Sequence, residues 1–123
     1  MRARTKPLRY MLYVSQCSED QAAPRRELER QRKVLRELAR GRSMTVVDEF
    51  EDNTLGVAED RPGLSDMLSQ IEAGKADGIL CVNMARLGRR PEDVTVIHEL
   101  LRRGVLETVV TPYGETDRKS LLE

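Results

Sequence analysis

The chain has 123 residues, enough for one hydrophobic core and too few for two of ordinary size. Apolar residues make up 39% and charged residues 34%, and no apolar run approaches the roughly 20 residues of a bilayer span, so neither a disordered nor a membrane-spanning chain is expected. Lysine plus arginine and aspartate plus glutamate number 21 each, so net charge alone lends no support to a polyanionic partner.

The opening segment carries Arg2, Arg4, Lys6 and Arg9, but the short apolar run after it is broken by Ser15, Gln16 and Glu19 and does not read as a secretory signal. Tyr10 to Val14 is an apolar, aromatic run of strand length. From about Arg26 to Arg40, Leu28, Leu35, Leu38 and Ala39 recur at helical spacing, and Gly41 is expected to supply a left-handed stop. Thr45 to Phe50 reads as a second strand. Glu51 to Asp60 lacks periodicity, contains Asn53 and Gly56, and reads as a surface loop. Pro62 opens a helix whose Leu64, Met67, Leu68 and Ile71 fit the i, i+3, i+4, i+7 template, closed by Gly74. Ile79 to Val82 is continuously apolar, as a strand covered on both faces would be. After the polar segment Asn83 to Arg90, Pro91, Glu92 and Asp93 begin a helix carrying Val94, Ile97 and Leu101, and Gly104 ends it. Val105 to Val110 reads as the last strand. Thr111 to Glu123 shows no core pattern and reads as a loop or frayed end.

Strands alternating with helices predict an α/β fold: a mainly parallel sheet flanked by helices on both faces. A single domain over 1–123 is expected, with about 1–9 and 115–123 flexible. Cys17 and Cys81 lie in no CxxC or Cys/His cluster, so no disulfide framework, metal or cofactor is expected, and a reducing cytoplasm is the default location. His98 reads as a surface or packing residue.

In open α/β sheets ligands bind beyond the carboxyl ends of the strands. Three segments converge there: Ser15 to Gln21, Glu51 to Arg61, and Asn83 to Arg90. They bring Asp52, Arg61, Arg86 and Arg89 toward Cys17 and Ser18. Arginines around one thiol or hydroxyl suit a phosphodiester, because guanidinium forks hold phosphate oxygens and offset charge in a phosphoryl-transfer transition state. Neither G-x-G-x-x-G nor a P-loop is present, which argues against a nucleotide-cofactor domain. A second basic stretch runs from Arg25 through Arg26, Arg30, Arg32, Lys33, Arg36 and Arg40 to Arg42. Interleaved with Glu27, Glu29 and Glu37, it reads as a solvated helix face.

Five motifs in order carry a family resemblance. Tyr13-Val-Ser-Gln-Cys-Ser-Glu-Asp-Gln21 resembles Y-x-R-V-S-T-x-x-Q, and Glu29-Arg-Gln31 resembles a helix motif. Phe50-Glu-Asp-Asn-Thr-Leu-Gly56 resembles F-x-D-x-x-S-G, Asp60-Arg-Pro-Gly-Leu64 resembles D-R-P-G-L, and Met84-Ala-Arg-Leu-Gly-Arg89 resembles L-D-R-L-G-R. Together they resemble the catalytic domain of serine recombinases of the resolvase/invertase family. That resemblance implies a serine nucleophile that attacks a DNA phosphodiester, forms a 5′-phosphoserine linkage and religates after strand exchange. It implies DNA as partner, and either a homo-oligomer or pairing with another recombinase.

Carried over by position, Arg61, Arg86 and Arg89 match arginines that contact the scissile phosphate. Asp52 matches an active-site carboxylate, and Gln21 and Gln31 match supporting polar residues. Other positions depart from the pattern. Cys17 stands where the nucleophile belongs, Ser15 replaces an arginine, Ala85 an aspartate and Leu55 a serine. Taking Ser18 as nucleophile would break its spacing to Gln21 and Tyr13. A thiolate is soft and phosphorus is hard. Losing one transition-state donor costs on the order of 3 kcal/mol, roughly a hundredfold in rate. The expectation is an impaired recombinase domain; the alternative is a non-enzymatic module that binds DNA or a partner recombinase. Family members continue into a long helix and a separate DNA-binding domain, and no such domain is expected within these residues.

Overall fold

Aromatic and β-branched side chains at Tyr10, Tyr13 and Val14 suit a pleated, buried surface, and the strand they anchor outruns them at both ends. In the computed structural model, which describes residues 7–17, 24–54, 61–87 and 91–117, β1 spans Arg9–Cys17, α1 Pro24–Gly41, β2 Thr45–Thr54, α2 Pro62–Glu72 and β3 Gly78–Leu80. Next come α3, Met84–Leu87, α4, Pro91–Arg102, β4, Thr108–Thr111, and β5, Gly114–Asp117. The strands form one sheet in the order β2-β1-β3-β4-β5, parallel except where β5 returns antiparallel to β4. The mainly parallel α/β architecture is as expected. Among the described residues no helix is long and apolar enough to cross a membrane.

Alternation along β1 divides the core. Tyr10, Leu12 and Val14 face α1 and pack on Leu28, Leu35 and Ala39. Met11 and Tyr13 face the other way, toward Leu64, Met67 and Ile71 of α2 and Ile97, Leu100 and Leu101 of α4. Each fully buried leucine, isoleucine, valine or methionine among them contributes about 1.5–3 kcal/mol through removal of apolar surface from water. β3 is buried on both faces, as its unbroken apolar run requires.

The structure corrects the sequence reading in several places. Gly41 ends α1 as a helical residue, and the left-handed position falls on Ser43, with φ of 55°. The Met44 amide donates to the Ala39 carbonyl at 2.8 Å, closing the helix end around that residue. β2 runs on to Thr54 instead of yielding to a loop at Glu51, because β1 pairs with it as far as Cys17 opposite Thr54. Its charged residues there escape the usual strand pattern because Glu49 and Glu51 are met by arginines of α1. Within Asn83 to Arg90, Met84–Leu87 forms a helical turn. The last strand is not Val105 to Val110: β4 begins at Thr108, and a turn through Pro112 and Tyr113 leads into β5, whose half-exposed residues leave no core pattern to read.

The arginines of α1 are mostly engaged. Arg25 grips Glu51 with two bonds of 3.0 and 2.9 Å, Arg36 grips Glu49 at 2.9 and 2.7 Å, and Arg32 lies between with Glu29, Glu49 and Glu51. Arg30 pairs with Glu27. This side of α1 is an ionic ladder along the outer strand, in keeping with the solvated-face reading.

Candidate active site

The strand order reverses between β1 and β3, since α1 leads outward to β2 and α2 carries the chain back across to β3. A crevice beyond the carboxyl ends of the strands is therefore expected at this switch point. The two strands there differ in length. β3 pairs with β1 only from Tyr10 to Leu12, while β1 continues to Cys17. The Arg9 carbonyl accepts the Asp77 amide on the β3 edge at 2.7 Å, and in a parallel ladder alternate residues present both backbone groups to one edge. Ser15 thus faces that edge past the end of β3. Gln31 of α1 takes the missing strand's place: its Oε1 accepts the Ser15 N–H at 3.2 Å and its Nε2 donates to the Ser15 carbonyl at 2.9 Å and to Glu27 at 3.0 Å. Gln31 is fully buried on the otherwise apolar stripe of α1.

On the opposite face of β1, Asp52 of β2 gathers three donors. Its carboxylate accepts the Tyr13 hydroxyl at 2.7 Å and the amides of Gly63 and Leu64 at 2.7 and 2.8 Å. Those amides belong to the first turn of α2, where N–H groups lack intrahelical partners and the helix dipole favours an anion. Arg61, the residue before α2, contributes no side-chain cap of its own. Burial first, and the bond to Asp52 second, push the Tyr13 phenol well above its ordinary range, so it remains a donor. A Cβ on Gly63 would collide with the Glu51 carbonyl oxygen and touch both Asp52 carboxylate oxygens at 3.0 Å. Glycine is what allows α2 to start this close to β2.

Arg61 is 7% exposed. Its Nη2 donates to the Leu87 carbonyl at the end of α3 and to the Asp93 carboxylate in the first turn of α4, the latter at 2.7 Å. Arg61 and Asp93 both line a groove of about 730 Å³ between α2 and α4, with Leu64, Leu68, Val96 and Leu100 among its other walls.

The family model described as resolvase, N terminal domain, matches residues 11–121. The chain belongs to the resolvase family. Solved structures agree in fold. The C-terminal catalytic domain of ISC1926 TnpA, an IS607-like serine recombinase, superposes with a TM-score of 0.70 at 24% identity, over 94% of this chain and 75% of its own. The N-terminal catalytic domain of TP901-1 integrase gives 0.71 at 19%, over 93% and 87%. A resolvase family site-specific recombinase from Streptococcus pneumoniae gives 0.67 at 18%, over 85% and 71%.

Within this resolvase-family domain the motif residues separate into groups. Ser15, Gln31, Asp52 and Arg61 are buried around the carboxyl ends of β1 and β2. Cys17 closes β1, and Ala85 and Arg86 lie in α3, each placed by its backbone. Gln21, Leu55 and Arg89 lie outside the described residues. Three contributors escaped the sequence reading. Tyr13 stood in a motif without a role, Gly63 stood in D-R-P-G-L without a reason, and Asp93 read only as an acid at a helix start. A polar Gln31 on an apolar helix stripe was the one local signal of a buried bridge. Cys81 is core: burial pushes its thiol up to about 12, which keeps it protonated.

Proposed function

We propose that this domain engages a DNA phosphodiester at the β1/β3 switch point, as a site-specific recombinase that cleaves and rejoins strands would, and that its cleavage chemistry is impaired. The observation that carries the reading is the packing of α3, which bears Arg86, against β1, which ends in Cys17. Arg86 and Arg89 supply the phosphate contacts. Asp52, Tyr13 and Gln31 hold the strand ends and α2 in place and touch no reacting atom. Ser15 supports the impairment: where the family motif has an arginine, this short, buried side chain offers no guanidinium to a phosphate. The domain is expected to work as a homo-oligomer or with an active recombinase as partner.

Binding to a fluorescein-labelled duplex, measured against salt, tests the first half. Each lost phosphate contact lowers the slope of log K against log salt by about 0.9, so Arg86→Ala/Arg89→Ala is expected to lose close to two units. An unchanged slope removes both arginines from the site. For the second half, denaturing gels are expected to show no protein–DNA adduct. An adduct abolished by Cys17→Ala would establish the thiolate as a working nucleophile.

A further inference from the structure

Matching by motif makes Arg61 a phosphate ligand, yet its guanidinium is committed inside the protein. We infer that Arg61 and Asp93 form a strut that positions α3, and with it Arg86, so that Arg61 acts through Arg86 and not on the phosphate; this rests on the phosphate-binding role proposed for Arg86.

Three observations carry it. First, α3 has only four residues, far fewer than the roughly 12 an isolated helix needs, so its place must be set from outside. Second, the carbonyl that Arg61 takes is that of Leu87, the final residue of α3. Carbonyls at a helix end lack intrahelical partners, and a cation there is favoured by the dipole. Leu87 is itself fully buried, so its carbonyl has no ready exchange for water. Third, the same nitrogen is held by Asp93 at 2.7 Å, and the side chains of the pair are 5% and 13% exposed. A carboxylate so placed fixes the guanidinium in one pose and offsets its buried charge. α2, α3 and α4 are thereby tied at one point, one residue from Arg86. A phosphate approaching the Arg61 Nη2 would have to compete with the Asp93 carboxylate already bound there.

The two roles differ in the sign of one substitution. If Arg61 bound phosphate directly, Asp93→Asn would remove a competing negative charge and tighten DNA binding. For a strut, Asp93→Asn loosens α3 and weakens binding, on the order of tenfold for the loss of one charge-assisted bond, and Asp93→Glu recovers part of it. Tryptic cleavage of the DNA-free protein reads the strut independently. The Arg86–Leu87 bond is expected to be cut about tenfold faster in Asp93→Asn, with cleavage after Arg103 unchanged. Should that variant cleave faster everywhere through global unfolding, Arg61→Lys decides, since it keeps the charge but loses the fork and is expected to accelerate cleavage after Arg86 alone. An unchanged rate at Arg86, or tighter DNA binding by Asp93→Asn, overturns the strut. A wild-type domain that binds no duplex overturns the phosphate reading instead, and the proteolysis still tells whether α3 is held.

Discussion

Gly63 is the residue on which the geometry around Asp52 turns. Its hydrogen sits where a methyl would press on the Glu51 carbonyl and the Asp52 carboxylate, so the amides of Gly63 and Leu64 reach that carboxylate only because no side chain intervenes. Gly63→Ala is expected to cost about 1–3 kcal/mol, the usual penalty of overpacking, read as a lower urea midpoint with unchanged slope. A neutral result would mean that α2 can step back without strain. The glycine was visible in the sequence as part of D-R-P-G-L. Its reason was not, because the atoms it avoids lie eleven and twelve residues earlier on another strand. Arg61 and Asp93 teach the same lesson: each looked locally explained, one as a phosphate ligand and the other as a helix-start acid, and only the fold brings them to 2.7 Å.

At the scale of elements, α1 shows both how far periodicity reaches and where it stops. Its apolar stripe predicts the helix, but the glycine that the pattern offers as the stop is helical, and the left-handed position is Ser43 two residues later. A left-handed non-glycine residue costs about 1 kcal/mol, while Gly41 spends its freedom inside a helix, where alanine is better by about 0.5–1 kcal/mol, and a Cβ there meets nothing within 4 Å. Ser43→Gly and Gly41→Ala are therefore each expected to raise the thermal midpoint, and a fall in either would refute the assignment of the cap. The ladder from α1 to β2 sets a pH dependence. Hydrogen bonds from Arg36 to Glu49 and from Arg25 to Glu51 hold both carboxyls below the ordinary value of 4.5. Groups that bind protons less readily when folded add stability that is complete above the unfolded pKa and is lost as pH falls through the lower folded values. The loss should begin below about pH 4.5 and be shallower in Glu49→Gln/Glu51→Gln, and it should shrink in high salt because most of the partners are exposed. Identical urea midpoints for wild type and variant from pH 7 to 3 would show the ladder to be ornamental.

For the molecule as a whole, the fold class was legible because alternating strands and helices leave few arrangements, whereas sheet order was not, since residues carry no label of their strand neighbour. β5 was illegible for a related reason: an outer strand with two half-solvated faces has no burial to impose a pattern. The switch point between β1 and β3 follows from that order, and so does its weak spot. Up to Leu12, β1 is held by strands on both sides; beyond it, the Gln31 side-chain amide bonds both backbone groups of Ser15 on the β3 edge. Gln31→Leu keeps the volume and apolar contacts of the helix stripe but withdraws that amide from two buried backbone groups, at about 1–3 kcal/mol each. If the amide does stand in for a strand, the consequence is local as well as global. Amide hydrogen exchange at Ser15 should quicken far more than at Met11 or Leu12, whose backbone neighbours are unaltered. Exchange that rises equally along β1 would mean that Gln31 contributes only to overall stability and does not stand in for a strand at Ser15.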